Sequence, residues 1–92
     1  MVGETTVGRA GRLVAVAGNV VATPEHSLYL IYRDGATRRI PLTYVTDPIA
    51  AAFFYASIPV ERQHGTRSPA RLQLRRGGTI VETSVLVVPR RR

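Results

Sequence analysis

The chain predicts an all-β fold, a two-sheet antiparallel β-sandwich of about six to seven strands, and two observations lead to it. Arg33-Asp34-Gly35-Ala36 and Arg75-Arg76-Gly77-Gly78-Thr79 each lie between runs rich in Leu, Ile, Val and Tyr. Short Gly-containing turns between such runs mark β-hairpins. Several of the flanking runs also alternate apolar with polar residues, the period of a strand with one face in a core. A chain of 92 residues makes one domain, able to bury about 60 to 65 % of its unfolded surface.

Residues 1–11 are rich in Gly and Thr with no apolar period, and they read as a flexible lead-in or linker. The sandwich is expected over 12–89. Leu13-Val14-Ala15-Val16-Ala17 and Val20-Val21-Ala22 make a continuous apolar run broken only by Gly18-Asn19. This reads as one long strand with a bulge or bend at Gly18, the device by which an outer strand passes between sheets.

The first hairpin joins 27–32 to 37–45, and parity selects its loop. A two-residue loop would put Leu28, Leu30 and Tyr32 on the face of Thr37, Arg39 and Pro41. A three-residue loop, Arg33-Asp34-Gly35 with Gly35 left-handed, instead gathers Leu28, Leu30, Tyr32, Ile40, Leu42 and Tyr44 on one face. Pro41 has no N–H to donate to a ladder, so its nitrogen must point away from the first arm. The second arm is therefore expected at a sheet edge, with Arg39, Pro41, Thr43 and Val45 as candidate edge-interaction residues.

Asp47-Pro48 followed by Ala is a sound helix opening, yet 53–58 is aromatic-rich and Pro59 would cut any helix short. Strand is favoured over 52–58, with helix open at 48–57 and a helical turn possible at 48–51. Residues 61–69 read as a polar loop. In the last hairpin, 69–75 with 79–88, a two-residue Gly77-Gly78 turn places Leu72, Leu74, Val81, Val85 and Val87 on one face, and Arg71, Gln73, Arg75 and Glu82 on the other. Pro89 ends the strand, and residues 90–92 form a basic tail.

The chain carries 13 Lys+Arg, all of them Arg, against 6 Asp+Glu, a net charge of +7. Such an excess invites an anionic partner such as nucleic acid, a lipid surface or an acidic protein. The absence of Lys favours the plainer explanation, a GC-rich codon bias. The candidate polyanion-binding residues are Arg62, Arg67, Arg71, Arg75, Arg76, Arg90, Arg91 and Arg92, a stripe along the last hairpin and its flanks. Phe53, Phe54 and Tyr55 lie on another strand and read as core, not as base-stacking aromatics.

Leu28-Tyr29-Leu30-Ile31-Tyr32-Arg33-Asp34-Gly35-Ala36-Thr37-Arg38-Arg39-Ile40-Pro41, an aromatic strand, and then Leu72-Gln73-Leu74-Arg75-Arg76-Gly77-Gly78-Thr79-Ile80-Val81 form a succession with a familiar look. It resembles the immunoglobulin-like or fibronectin-III-like β-sandwich modules at the C-termini of actinobacterial membrane and anti-sigma-factor-like proteins, over about residues 12–88. The chain has no Cys and no Trp, so the disulfide and tryptophan of antibody domains are missing. The resemblance implies a scaffold or interaction module.

Catalytic chemistry has little to stand on. Without Cys there is no disulfide framework, thiolate nucleophile or Cys-based metal site. His26 and His64 would have to meet beside a carboxylate such as Glu61 to hold a metal; they read as loop histidines. No Ser sits in a nucleophile elbow, and Gly77-Gly78 precedes a strand where a phosphate cradle needs a helix. No apolar stretch reaches the roughly 20 residues of a bilayer span, and the first residues lack the pattern of a signal peptide. The expectation is a non-enzymatic structural or protein-interaction module of a larger bacterial protein, without cofactor, monomeric in preference to dimeric, with an unidentified protein partner. It would be extracytoplasmic behind an upstream membrane anchor and cytoplasmic otherwise. Sequence-independent polyanion binding is the alternative.

Overall fold

The structure, a computed structural model, describes residues 2–7, 12–20, 25–45 and 51–86. The described residues hold eight strands: β1 (Val2–Val7), β2 (Leu13–Val20), β3 (His26–Tyr32), β4 (Thr37–Ile40), β5 (Thr43–Val45), β6 (Ala51–Ser57), β7 (Pro69–Arg76) and β8 (Thr79–Val85). They form two four-stranded sheets, ordered β1-β2-β6-β5 and β4-β3-β7-β8, and every pairing is antiparallel. Leu13, Val16, Val20, Ala52, Phe54 and Ala56 of the first sheet are buried in one cluster with Leu28, Leu30, Tyr32, Ile40, Leu72 and Leu74 of the second. The sandwich expected from the alternation is what forms.

The first hairpin has the three-residue loop that parity requires. The Gly35 N–H donates to the Tyr32 carbonyl at 3.0 Å and the Tyr32 N–H to the Ala36 carbonyl at 2.9 Å, with Gly35 at φ +89°. Leu28, Leu30 and Ile40 are consequently sealed in the core. The stretch favoured as strand over 52–58 is a strand at Ala51–Ser57, because its alternation buries Ala52, Phe54 and Ala56. That same alternation turns Phe53 and Tyr55 outward, so only Phe54 of the three aromatics read as core lies there.

Four expectations are corrected. Val2–Val7, read as part of a lead-in, pairs with β2 as an edge strand. β2 is one strand, as expected, but it does not leave its sheet: it lies between β1 and β6, and Gly18 pairs with Phe54, where a missing side chain gives room to an inward ring. The crossing between sheets occurs instead at Pro41-Leu42. The arm expected to run unbroken over 37–45 is two strands, β4 in the second sheet and β5 in the first. Proline holds φ near −65°, far from about −140° in an antiparallel strand, and beyond it Leu42 and Tyr44 pack onto the core.

The fourth correction concerns β8. Arg76 faces Thr79 across the expected Gly77-Gly78 turn, but a register shift sets Ile80 and Val81 against Arg75 before Leu74 meets Glu82. Beyond this bulge the parity is reversed. Glu82 and Ser84 share the core-side rows of Leu74 and Leu72, while Val81 and Val85 are 52 % and 73 % exposed. The reversal lets Leu86 turn inward, where it is buried and its N–H donates to the Ala70 carbonyl at 2.9 Å. Val87 and the 90–92 tail lie outside the described residues, as do 48–50, where a helical turn remained open.

Candidate interaction faces

The arginines expected to form one stripe serve different ends. Arg62, in the short 3-10 turn Val60–Arg62, is half-buried and internally committed. Its guanidinium lies 4.3 Å from the centre of the Tyr32 ring and donates from Nη1 to both Asp34 carboxylate oxygens at 3.0 Å. It also reaches the Arg67 carbonyl at 3.3 Å. This cluster ties the 60–67 connection to the first hairpin loop, with Arg33 Nε donating to Ser68 Oγ at 3.1 Å alongside. The Ala36 N–H holds the Asp34 carboxyl below its ordinary value; desolvation opposes it, and the Arg62 side chain and the nearby Arg67 charge add to the lowering.

Arg67 is exposed in the following turn, Gly65–Arg67. Arg76, at the far end of β7, pairs with Glu25 at 2.8 Å, both side chains about two-thirds exposed, an arrangement worth little in water. Arg71 and Arg75 do project outward as expected. Arg75 stacks over Tyr29 at 4.4 Å and its Nε donates to Gln73 Oε1 at 2.7 Å. Arg90, Arg91 and Arg92 lie outside the described residues.

Register brings in a residue assigned to a different role. Tyr29 of β3 faces Arg39 of β4 on one side and Gln73 of β7 on the other. One row across the outer face of the second sheet is thus Arg39-Tyr29-Gln73-Thr83, and the next is Thr37-Ile31-Arg71-Val85. Arg39, Arg71 and Arg75 share this face, and no described acidic residue occupies an outward register position on it.

The first sheet is opposite in character. On the central strand β6, Phe53 is 49 % and Tyr55 67 % exposed. Around them in the register stand Ala17 and Asn19 of β2 and Thr43 of β5. No arginine holds an outward register position in this sheet among the described residues. Phe53 and Tyr55 were missed because an aromatic triplet reads as core; the signal that finds them is the strict period of Ala52-x-Phe54-x-Ala56.

The expected edge through Arg39, Pro41, Thr43 and Val45 is not one surface. Arg39 ends up on the second sheet's face, Pro41 is exposed at the crossover, and Thr43 and Val45 lie on β5 of the first sheet. Arg38, sharing its row with buried Leu30, turns core-side and donates from Nη1 to the Ser57 carbonyl at 2.9 Å. A short strand with an inward cation is a protected edge. Beside the crossover a cavity of about 410 Å³ opens, lined by His26, Ser27, Arg39, Pro41, Leu42 and Tyr44 among others. Within that lining Tyr44 Oη donates to the His26 carbonyl at 3.2 Å.

His26 and His64 lie at opposite ends of β3, since His26 begins that strand and the 64–68 turns meet its far end, where the Arg33 N–H donates to the Ser68 carbonyl. They do not form one site. Comparison with protein-family models, with curated proteins and with solved structures finds no match for the chain.

Proposed function

We propose that the domain is a non-enzymatic protein-interaction module of immunoglobulin-like architecture, acting within a larger bacterial protein. The strand order supports the architecture: β1-β2-β6-β5 against β4-β3-β7-β8 follows the order A-B-E-D against C′-C-F-G of that class. The observation that carries the interaction role is the pair Phe53 and Tyr55. The outer face of an antiparallel sheet is ordinarily polar, and exposed aromatics grouped at a face's centre are the residue types that dominate binding interfaces.

Photo-crosslinking in the native host tests this. A photoreactive phenylalanine replacing Tyr55 should yield a discrete protein adduct that Phe53→Ser abolishes, and the same group replacing Thr37 on the opposite sheet should not. Equal adducts from both positions, or none from Tyr55, would overturn the reading. A second reading, polyanion binding, is favoured by the clustering of Arg39, Arg71 and Arg75 beside Tyr29. It assigns the second sheet's face to phosphates, which bind it independently of sequence.

A further inference from the structure

The geometry points to β8 as a strand-addition edge that takes an extended acidic segment of a partner protein. The inference rests on the interaction-module reading but uses a different surface from Phe53 and Tyr55. The first support is that β8 is long and free of proline and arginine. β4 is four residues long, carries inward Arg38 and stops before Pro41; β5 is three residues long. β1, the other long edge, has Gly3 in its interior, which weakens a strand. β8 runs for seven residues with neither Pro nor Arg, and it exposes Ile80, Val81 and Val85. Its guards are the bulge at Leu74/Arg75 and core-side Glu82, and beyond them Thr83, Ser84 and Val85 carry neither charge nor proline.

Backbone phase identifies the groups on offer. The Leu86 N–H donates to the Ala70 carbonyl, so Leu86 turns its backbone toward β7. Alternation along an antiparallel strand then turns Ser84 and Glu82 the same way, and Thr83 and Val85 the opposite way. No described strand lies on that side of β8. An incoming strand would bond to Thr83 and Val85 and set alternate side chains beside Val85 and Ile80 on the outer face.

Charge selects the occupant. Across that face Ile80 and Val85 have Arg75 and Arg71 as their neighbours on β7. Strands lie about 4.8 Å apart, so an added strand's backbone sits about 10 Å from β7, slightly beyond the Debye length of about 8 Å at physiological salt, a gap that the long Arg and Glu side chains span. Carboxylates on its outward positions would meet the Arg71 and Arg75 guanidinium groups. A second copy of this chain brings net +7 to a face that is already cationic, which disfavours self-pairing.

The test uses fluorescence anisotropy with a labelled synthetic peptide of about eight alternating Glu and Val residues, and a Lys-for-Glu counterpart. The Glu peptide should bind, with amide NMR shifts centred on Val81, Thr83 and Val85. Thr83→Pro removes an outward N–H at an edge position that tolerates proline, and it should weaken binding about tenfold or more while the protein still melts cooperatively. Arg71→Glu leaves the edge intact and should shift preference toward the Lys peptide. Undiminished binding to Thr83→Pro, equal affinity for both peptides, amide shifts at β1 or β4, or a dimer that forms without peptide and is lost in Thr83→Pro would each overturn the proposal. Because Tyr55 crosslinking is independent of β8, failure here with success there refutes the strand site alone.

Discussion

Alanine at Gly35 and at Gly78 separates backbone strain from packing in the two hairpin turns. Gly35 sits at φ +89°, and a Cβ built on it meets nothing within 4 Å. The cost of Gly35→Ala is therefore conformational alone, about 1–2 kcal/mol for an L residue held left-handed. Loss of freedom in the unfolded chain returns about 0.4–1 kcal/mol, which leaves a net destabilisation of about 1 kcal/mol. At Gly78 a Cβ also meets nothing within 4 Å, and the backbone is outside the left-handed range. Only the unfolded-state effect operates there, and Gly78→Ala should be neutral or stabilising by up to about 1 kcal/mol. For a domain of this size 1 kcal/mol moves Tm by about 4–8 °C. Melts followed by circular dichroism, with urea titrations to check that the denaturant slope is unchanged, should place the two variants on opposite sides of the parent or separate them by at least that shift. Coincident melting curves, or a Gly35→Ala protein as stable as the parent, would refute the assigned turn geometry.

The bulge in β8 predicts that Leu74→Ala costs about 2–5 kcal/mol whereas Val85→Ala stays within about 0.5 kcal/mol; unbroken parity would make both losses large, and urea midpoints distinguish them. Asp34, held ionised by the Ala36 N–H and Arg62, contributes stability that is full above its unfolded value near 3.8 and lost as pH falls through the lower folded value. Asp34→Asn should accordingly flatten the fall in urea midpoint below about pH 4, and an unchanged acid limb would remove Asp34 from that role. Tyr44→Phe removes the bond to the His26 carbonyl and should cost about 0.5–1.5 kcal/mol in thermal unfolding. If the second sheet's arginine face binds duplex DNA, titrations across salt should give a log–log slope of roughly −3, one phosphate for each of Arg39, Arg71 and Arg75; no retention at about 50 mM salt refutes that reading.

The fold was legible where parity and turn chemistry had to agree. Leu28, Leu30 and Ile40 share a face only with a three-residue loop, and Gly35 is the residue that such a loop places left-handed. At the last turn the same reasoning gave the turn and then failed, because a bulge costs one residue of register and leaves no composition signal in Ile80-Val81. The preference is tertiary: burying Leu86 in place of Val85 is decided by the opposing sheet. Likewise the sheet switch was expected at a glycine and occurs at a proline. Gly18 reads as a bend only until Phe54 is known to lie opposite it.

The candidate site was less legible, for a related reason. A list of arginines in chain order cannot tell Arg62, spent on Asp34 and Tyr32, from Arg71, which is presented to solvent. Nor can it show that Arg39 and Arg75, far apart in sequence, flank the same tyrosine through register. Sheet pairing converts sequence separation into adjacency, and it does so by strand order, which local patterns do not encode.

The two outer faces make strand order consequential for function. Because β2 and β6 are neighbours, Ala17 stands beside Tyr55, with Glu4 of β1 in the same row, and the first sheet offers an aromatic-centred face without an outward arginine among the described residues. Because β3 lies between β4 and β7, Arg39 of the first hairpin and Arg71 and Arg75 of the last collect on the second. With Arg39, Arg71 and Arg75 on the second face and no outward arginine on the first among the described residues, desolvating Phe53 and Tyr55 can drive association there without bringing guanidinium groups out of water. The strand edge at β8 borders the cationic face and not the aromatic one. A partner binding through Phe53 and Tyr55 and an acidic strand added at β8 would therefore occupy opposite sides of the sandwich, and neither would exclude the other.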